Sequence, residues 1–398
     1  LTWLAILGIG EDGVEGLSAA ARTWLARADL VVGGARHLAL AGSPVRSLAW
    51  PSPIESAFPA ILANRPRPTV VLASGDPFCF GVGTLLASLL APTDMICLPS
   101  PSAFTLACAR LCWGLHTVAT ISFCGRPLEA VLPLLQPGRR VLCLSADERT
   151  PAALMRLLQA RGFGPSRIYV MQALGGPRER ILSTSVEEFA DPDIDRLNLV
   201  ALELAATDNA FVIPLTPGLP DEFFRHDGQL TKREIRALTL SALAPRAGEL
   251  LWDIGCGSGA VGIEWMLRHP ANLAEAVERD PVRAARARRN ATTLGVPGLR
   301  VIEGEAPAAL AELPRPDAVF VGGGASEAVI EAAWSALPPG GRLVINAVTM
   351  ETTRLLFDLP ARLGGSLTRL AVERLEDLGR VHGFRPAMAV TQFAAIRR

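Results

Sequence analysis

Several short glycine-rich segments in this chain have the composition and placement needed to hold a nucleotide-like ligand. Trp252-Asp-Ile-Gly-Cys-Gly-Ser-Gly259 lies between the apolar run Leu250–Ile254 and the helical pattern of residues 260–268. Glycines let a backbone approach a ligand closely, and a helix N-terminus favours a carboxylate or phosphate. An acid, Glu278, ends the next apolar run roughly twenty residues later, where a carboxylate accepts ribose hydroxyls in strand–turn–helix folds. Gly304-Glu-Ala-Pro307 ends the run after that, where the chain can line an adenine pocket. The pattern is G-x-G-x-G, which differs from the dinucleotide fingerprint G-x-G-x-x-G. A nicotinamide-binding turn or a purely structural turn is the alternative reading. In the first half, Gly8-Ile-Gly-Glu-Asp-Gly13, Ser74-Gly-Asp-Pro-Phe-Cys-Phe-Gly81 and Pro99-Ser-Pro-Ser-Ala-Phe104 have a similar character.

These segments require strands and helices to place them. In the first half, residues 3–9, 30–32, 69–73, 95–98, 117–123, 141–144, 168–171 and 197–204 are predicted as strands, with helices over 18–27 and 102–111. In the second half, strands are predicted at 250–254, 274–278, 299–303, 317–321 and 342–347. Asp280-Pro281 predicts an N-cap with proline at the first helical position, and Gly295 a left-handed cap after that helix. Thr231 and Glu234 have the spacing of a capping box ahead of a helix to Leu243. The alternation predicts α/β architecture. Val212-Ile-Pro-Leu-Thr-Pro-Gly-Leu-Pro220 is the expected boundary, giving domains at 1–210 and 221–398 with a linker at 211–220.

Composition narrows the function. Of 398 residues, 49% are hydrophobic and 20% charged, so the chain is globular. Lys+Arg and Asp+Glu are both 39, which lacks the basic excess of a protein that grips nucleic acid. The only lysine is Lys232; arginine supplies every other basic side chain. A GC-rich genome accounts for most of that bias, and arginine forks also suit a substrate with many carboxylates. The seven cysteines include no C-x-x-C pair, so neither zinc nor a disulfide is expected. No run is long enough to span a membrane, and the N-terminus, which lacks an initiator methionine, does not resemble a signal peptide. A cytoplasmic location without membrane or nucleic-acid partners is therefore expected.

With Asp253 before its glycines, the segment at 252–259 resembles motif I of the Rossmann-like S-adenosylmethionine methyltransferases. Together with His226-Asp-Gly-Gln-Leu-Thr-Lys-Arg-Glu234, Phe320-Val-Gly-Gly-Gly324 and Gly340-Gly-Arg-Leu-Val-Ile-Asn-Ala-Val-Thr349, it resembles the decarboxylating precorrin methyltransferase domain of cobalamin synthesis. The three N-terminal segments resemble the tetrapyrrole methylase family, which binds S-adenosylmethionine between two α/β lobes. The first loop departs from that family in having Glu11-Asp-Gly where Pro-Gly-Asp is common. The resemblance implies a two-lobed class III methyltransferase domain followed by a Rossmann-like class I domain, each with one S-adenosylmethionine. It carries cofactor contacts onto Gly10, Gly75, Asp76, Ser102 and Ala103 in the first. In the second it carries them onto Thr231, Gly255, Cys256, Gly257, Ser258, Gly259, Glu278 and Ala306. Cys256 is read there as a small residue, not a nucleophile.

The order of the two domains resembles the bifunctional precorrin-6B (formerly 6Y) methyltransferase family. That resemblance implies methylation at carbons 5 and 15 of the macrocycle, loss of carbon dioxide from the carbon-12 acetate, precorrin-8 as product and a homo-oligomer. Such chemistry is mainly alignment of carbon, methyl and sulfur in a dry cleft. Decarboxylation needs an electron sink, which protonation of the macrocycle provides. His226, Asp227 and Glu264 are candidate acids, although loop polarity and a helix face are the plainer readings. A ribosomal RNA methyltransferase and a non-catalytic tetrapyrrole carrier are the rival functions. Neutral charge and the lack of an Asn/Asp-Pro-Pro-Tyr motif disfavour the first, and intact glycine turns disfavour the second.

Overall fold

Short apolar runs form the strands of three main sheets in a computed structural model that describes residues 2–44, 46–190 and 192–398. The chain divides into two units. One comprises residues 1–126 and 136–211, the other residues 127–135 and 212–398. Among the described residues, no helix is long and apolar enough to cross a membrane.

The first unit has two lobes. In one, β1 (Leu4–Ile9), β2 (Leu30–Gly33), β3 (Ser47–Ala49), β4 (Thr69–Ser74) and β5 (Met95–Leu98) pair in the parallel order β3-β2-β4-β1-β5. Strand side chains alternate between faces, and both faces here are covered. Leu4, Ile6, Val32 and Val71 enter one apolar cluster, while Ala5, Leu7, Val31, Val70 and Leu72 enter another. The near-continuous apolar strand sequences follow from that double burial. In the other lobe, β6 (Ala119–Ser122), β7 (Arg140–Leu144), β8 (Arg167–Gln172), β9 (Arg180–Ser185) and β10 (Asn198–Glu203) take the mixed order β6-β7-β10-β8-β9.

In the second unit, β11 (Leu250–Ile254), β12 (Leu273–Glu278), β13 (Arg300–Glu303), β14 (Ala318–Val321) and β15 (Arg342–Ala347) are parallel. Two antiparallel strands, β16 (Ser366–Leu370) and β19 (Val390–Ile396), complete the order β13-β12-β11-β14-β15-β19-β16. β17 (Glu373–Leu378) and β18 (Val381–Pro386) form a separate ribbon. The strand order reverses beside β11, whose neighbours are β12 and β14. In open α/β sheets, ligands bind beyond the strand ends at such a switch point.

Every strand predicted from the sequence forms, with ends shifted by a few residues. Asp280 caps the Pro281–Thr293 helix by accepting from the Val282 and Arg283 amides, and Gly295 has φ +79°. The capping box does not form. The helix is Arg233–Leu243 with Lys232 at its N-cap, so Thr231 lies one position too early, and Glu234 turns outward to pair with Arg374. β9 and the β17–β18 ribbon had no apolar signature in the sequence. Both are mainly exposed, so no buried face imposed a pattern on them.

Candidate active sites

In the second unit, a cavity of about 660 Å³ opens at the switch point. Loops after β11, β12, β13 and β14 contribute Gly255–Ser258, Glu278, Ala306 and Gly322–Gly324 to its lining. Backbone bonds lock these loops together. The Gly255 and Cys256 amides donate to the Val277 carbonyl, Gly304 to Glu278, and Gly322 to Ile254. A side chain at Gly255 is excluded, because its Cβ would lie 2.5 Å from the Gly323 carbonyl oxygen. At Gly257 the situation is reversed. Its φ is +57°, and a Cβ would meet only the Gln229 carbonyl oxygen at 3.8 Å. The space beside Gly257 is therefore open toward the cavity.

Glu278 is 5% exposed, and both of its carboxylate oxygens have backbone donors. Oε2 accepts from Gly257 at 2.9 Å and Oε1 from Asp280 at 3.0 Å. Each oxygen keeps another acceptor direction for a ribose hydroxyl. Glu278→Ala is therefore expected to weaken cofactor binding in this unit by about 1.5–3 kcal/mol, the usual worth of a hydrogen bond to a charged group. Calorimetric titration checks it; unchanged affinity excludes the ribose role.

Asp253, at the end of β11, is buried. Its Oδ2 accepts from the Gly262 amide at 2.9 Å, while Oδ1 has no partner. Burial, with the Glu278 charge adding to it, pushes this carboxyl up to about 7. A raised folded-state pKa contributes stability at acid pH that is lost as pH rises through about 7. Asp253→Asn keeps an acceptor for Gly262 but cannot ionise. The melting temperature of the variant relative to the parent should therefore rise from pH 4 to 8; a difference independent of pH excludes this ionisation. Burial foremost, then the Asp253 and Glu278 charges, raises the Cys256 thiol well above its ordinary value, so no thiolate nucleophile forms there.

Thr231, Cys256, Ser258 and Ala306, expected as cofactor contacts, line the cavity. Gly259 does not. It has φ +75° at the helix start, and its Cβ would press on Ala287 at 3.0 Å, so close helix packing accounts for it.

The three candidate acids do not converge on the cavity. His226 is exposed and accepts from the Gly228 amide through Nδ1. Asp227 pairs with Arg286 and Arg283, which hold its carboxyl well below the usual range, so it carries no proton to donate. Glu264 is fully buried and accepts from the Gly218 and Leu219 amides and from Arg236. Its spacing on the helix concealed this role, because its partners are remote in sequence. Sequence reading assigned no role to Asn346, Arg283 or Arg374, all of which line the cavity. Asn346 lay within a motif already singled out. Its amide donates to Thr239 and accepts from Gln392, a network that fixes its orientation at the end of β15.

In the first unit, a smaller cleft of about 90 Å³ lies between the two lobes. Gly10, Gly75 and Ala103 line it, together with Glu11, Arg36 and Ser74. Gly75 has φ +53°, and its Cβ would fall 2.7 Å from the Pro101 carbonyl oxygen. Asp76 and Ser102 instead hold local backbone. Asp76 accepts from the Phe78 amide at 2.9 Å, and Ser102 caps the Ala103–Leu111 helix through Thr105.

Residues 4–190 match the tetrapyrrole (corrin/porphyrin) methylases, and residues 222–397 match the precorrin methyltransferase domain. A precorrin-6Y C(5,15)-methyltransferase [decarboxylating] from Sinorhizobium sp is 53% identical over 395 residues, covering 98% of this chain and 96% of that protein. The chain belongs to the decarboxylating precorrin-6Y C(5,15)-methyltransferase family. A Mycobacterium tuberculosis member of this family is 40% identical over 404 residues, covering 99% and 100% of the two chains. The solved C-terminal domain of the precorrin-6Y C5,15-methyltransferase from Rhodobacter capsulatus is 47% identical, covers 46% of this chain and 100% of that one, and has a TM-score of 0.45. Membership accounts for both cavities in one chain, and it disfavours the ribosomal RNA and carrier readings.

Proposed function

We propose that this chain methylates precorrin-6B at carbons 5 and 15 and decarboxylates its carbon-12 acetate, giving precorrin-8. The observation that carries the reading is the presence of two separate glycine-lined cavities in a chain aligned end to end with a bifunctional family. S-adenosylmethionine supplies an activated methyl group, one molecule per unit. In the second unit, Gly255–Ser258 seat the methionine end, Glu278 accepts from the ribose, Ala306 borders the adenine, and Thr231 covers the cavity from the side of the Arg233–Leu243 helix. In the first unit, Gly10, Gly75 and Ala103 line the cofactor cleft, and Asp76 and Ser102 hold its loops in shape. The second unit methylates carbon 15 and releases carbon dioxide, and the first methylates carbon 5.

Side chains orient the macrocycle and exclude water. Lys232, Arg279, Arg283 and Arg374 ring the larger cavity and suit a substrate whose rim is rich in carboxylates. The chain acts as a homo-oligomer, for which the β17–β18 ribbon, with Leu375, Val381 and Phe384 exposed, is the supporting surface. Incubation with precorrin-6B and S-adenosylmethionine tests the reaction: the product gains two methyl groups and loses carbon dioxide. Unchanged precorrin-6B under cofactor-saturating conditions contradicts it.

A further inference from the structure

Ser74, at the end of β4, faces the inter-lobe cleft of the first unit and belongs to a closed triangle of polar side chains. Its Oγ lies 2.8 Å from His37 Nε2 and 2.8 Å from Arg36 Nη2, and Arg36 Nη2 is 2.8 Å from His37 Nε2. Donor chemistry orders the triangle. A guanidinium has no acceptor, and an imidazole nitrogen has one lone pair. The arrangement that gives the Ser74 proton an acceptor is Arg36 donating to Ser74 and Ser74 donating to His37. That places the proton of the neutral imidazole on Nδ1, which is buried and has no partner. Burial, followed by the Arg36 charge, pushes His37 down to about 4, so the ring is neutral near pH 7. Glu11 pairs with both Arg36 and Arg178, so the guanidinium is itself anchored.

The chemistry of the first unit calls for such a group. When an enamine carbon attacks a methyl group, its π electrons form the new carbon–carbon bond, and the carbon–sulfur pair leaves with sulfur. A carbon that bore hydrogen then holds both hydrogen and methyl beside an iminium. Restoring conjugation returns the carbon–hydrogen electron pair to the ring and releases a proton.

We propose that Ser74 takes this proton as it passes its own to His37 Nε2, with Arg36 holding the hydroxyl in line. The imidazolium then releases its proton to solvent, and the thioether and methylated macrocycle depart. Ser74 is the group that meets the substrate, and His37 is the positioning residue that acts through it. Leu144, Met171, Leu174 and Leu199 line the same cleft, and Ser74 itself is exposed, so a proton passed to His37 has a short way to solvent. The relay rests on the proposal that this unit methylates a macrocycle carbon.

The test uses the full chain with precorrin-6B deuterated at carbons 5 and 15 and 13C-methyl S-adenosylmethionine. General bases contribute about a hundredfold or more. His37→Gln and Ser74→Ala are therefore expected to slow carbon-5 methylation by about that factor. His37→Gln should also show a primary deuterium isotope effect absent from the parent, because proton removal becomes limiting. Carbon-15 methylation should not change, and any loss of cofactor affinity in the first unit should be small beside the loss of carbon-5 rate. Parent-like rates overturn the relay, as does a slowed rate without an isotope effect that tracks loss of cofactor affinity. If the loss and the isotope effect appear at carbon 15, the relay stands and the assignment of carbon 5 to this unit fails.

Discussion

Replacing Arg236 by alanine is expected to destabilise the C-terminal unit by about 3–5 kcal/mol, the usual cost of leaving one member of a buried ion pair alone. Arg236 and Glu264 have no exposed side-chain surface, and Arg236 Nε meets Glu264 Oε1 at 2.5 Å. The guanidinium also donates to Asp221 and to the carbonyls of Thr231 and Leu219, and its Cζ lies 4.7 Å from the Phe224 ring centroid. One side chain thus ties residues 219–231 to the Arg233–Leu243 and 260–268 helices. Alanine leaves the buried Glu264 carboxylate hydrogen-bonded to the Gly218 and Leu219 amides but without its paired guanidinium. Glu264→Gln should cost less, because the buried guanidinium keeps Asp221 as a counter-ion and the Thr231 and Leu219 carbonyls as acceptors. Urea unfolding followed by tryptophan fluorescence measures both. A loss below about 1 kcal/mol for Arg236→Ala, the range of exposed pairs, contradicts this account.

The second large effect is expected from Gly257→Val. A β-branched residue at φ +57° costs on the order of 1–3 kcal/mol in backbone strain. Its side chain also enters the open direction, where only the Gln229 carbonyl oxygen lies within 4 Å. The valine therefore occupies the volume assigned to the methionine end of the cofactor. Cofactor affinity in this unit should fall at least about a hundredfold, equivalent to about 2.7 kcal/mol. The first unit should bind as before, so a calorimetric titration that saturates at two cofactors per parent chain should saturate at one. Two undiminished binding events in the variant exclude Gly257 from the cradle.

What the sequence made legible follows from periodicity and local chemistry. The β1, β4, β11 and β15 strands are apolar on both faces, and their runs stood out at nearly their full length. Asp280, Pro281 and Gly295 act within one turn of themselves, so their cap roles could be read from neighbours. That Gly255–Ser258 and Glu278 meet at one cavity was legible because a strand–turn–helix fixes their spacing. Contacts between distant segments left no such trace. Glu264 is joined to Gly218 and Leu219, Glu234 to Arg374 on the ribbon, and Asn346 to Thr239 and Gln392. The Ser74–His37 pair likewise depends on the sheet register that sets β2 beside β4. Residues 127–135 carry no sign in sequence that they group with the second unit, where Leu132 and Pro133 pack on Gly295.

The central claim is that two separate sites divide the chemistry, and product analysis of site-blocked full-length chains tests it most directly. Precorrin-6B is incubated with 13C-methyl S-adenosylmethionine and the parent, Gly257→Val or Asp76→Ala, and the labelled carbons and released carbon dioxide are recorded. The parent should label carbons 5 and 15 and release carbon dioxide. Asp76→Ala, which frees the Phe78 amide and loosens the loop after β4, should yield product labelled at carbon 15 and decarboxylated. Gly257→Val should leave the carboxylate in place and carbon 15 unlabelled. Label at both carbons from Gly257→Val, or a retained carboxylate from Asp76→Ala, would contradict the division of labour.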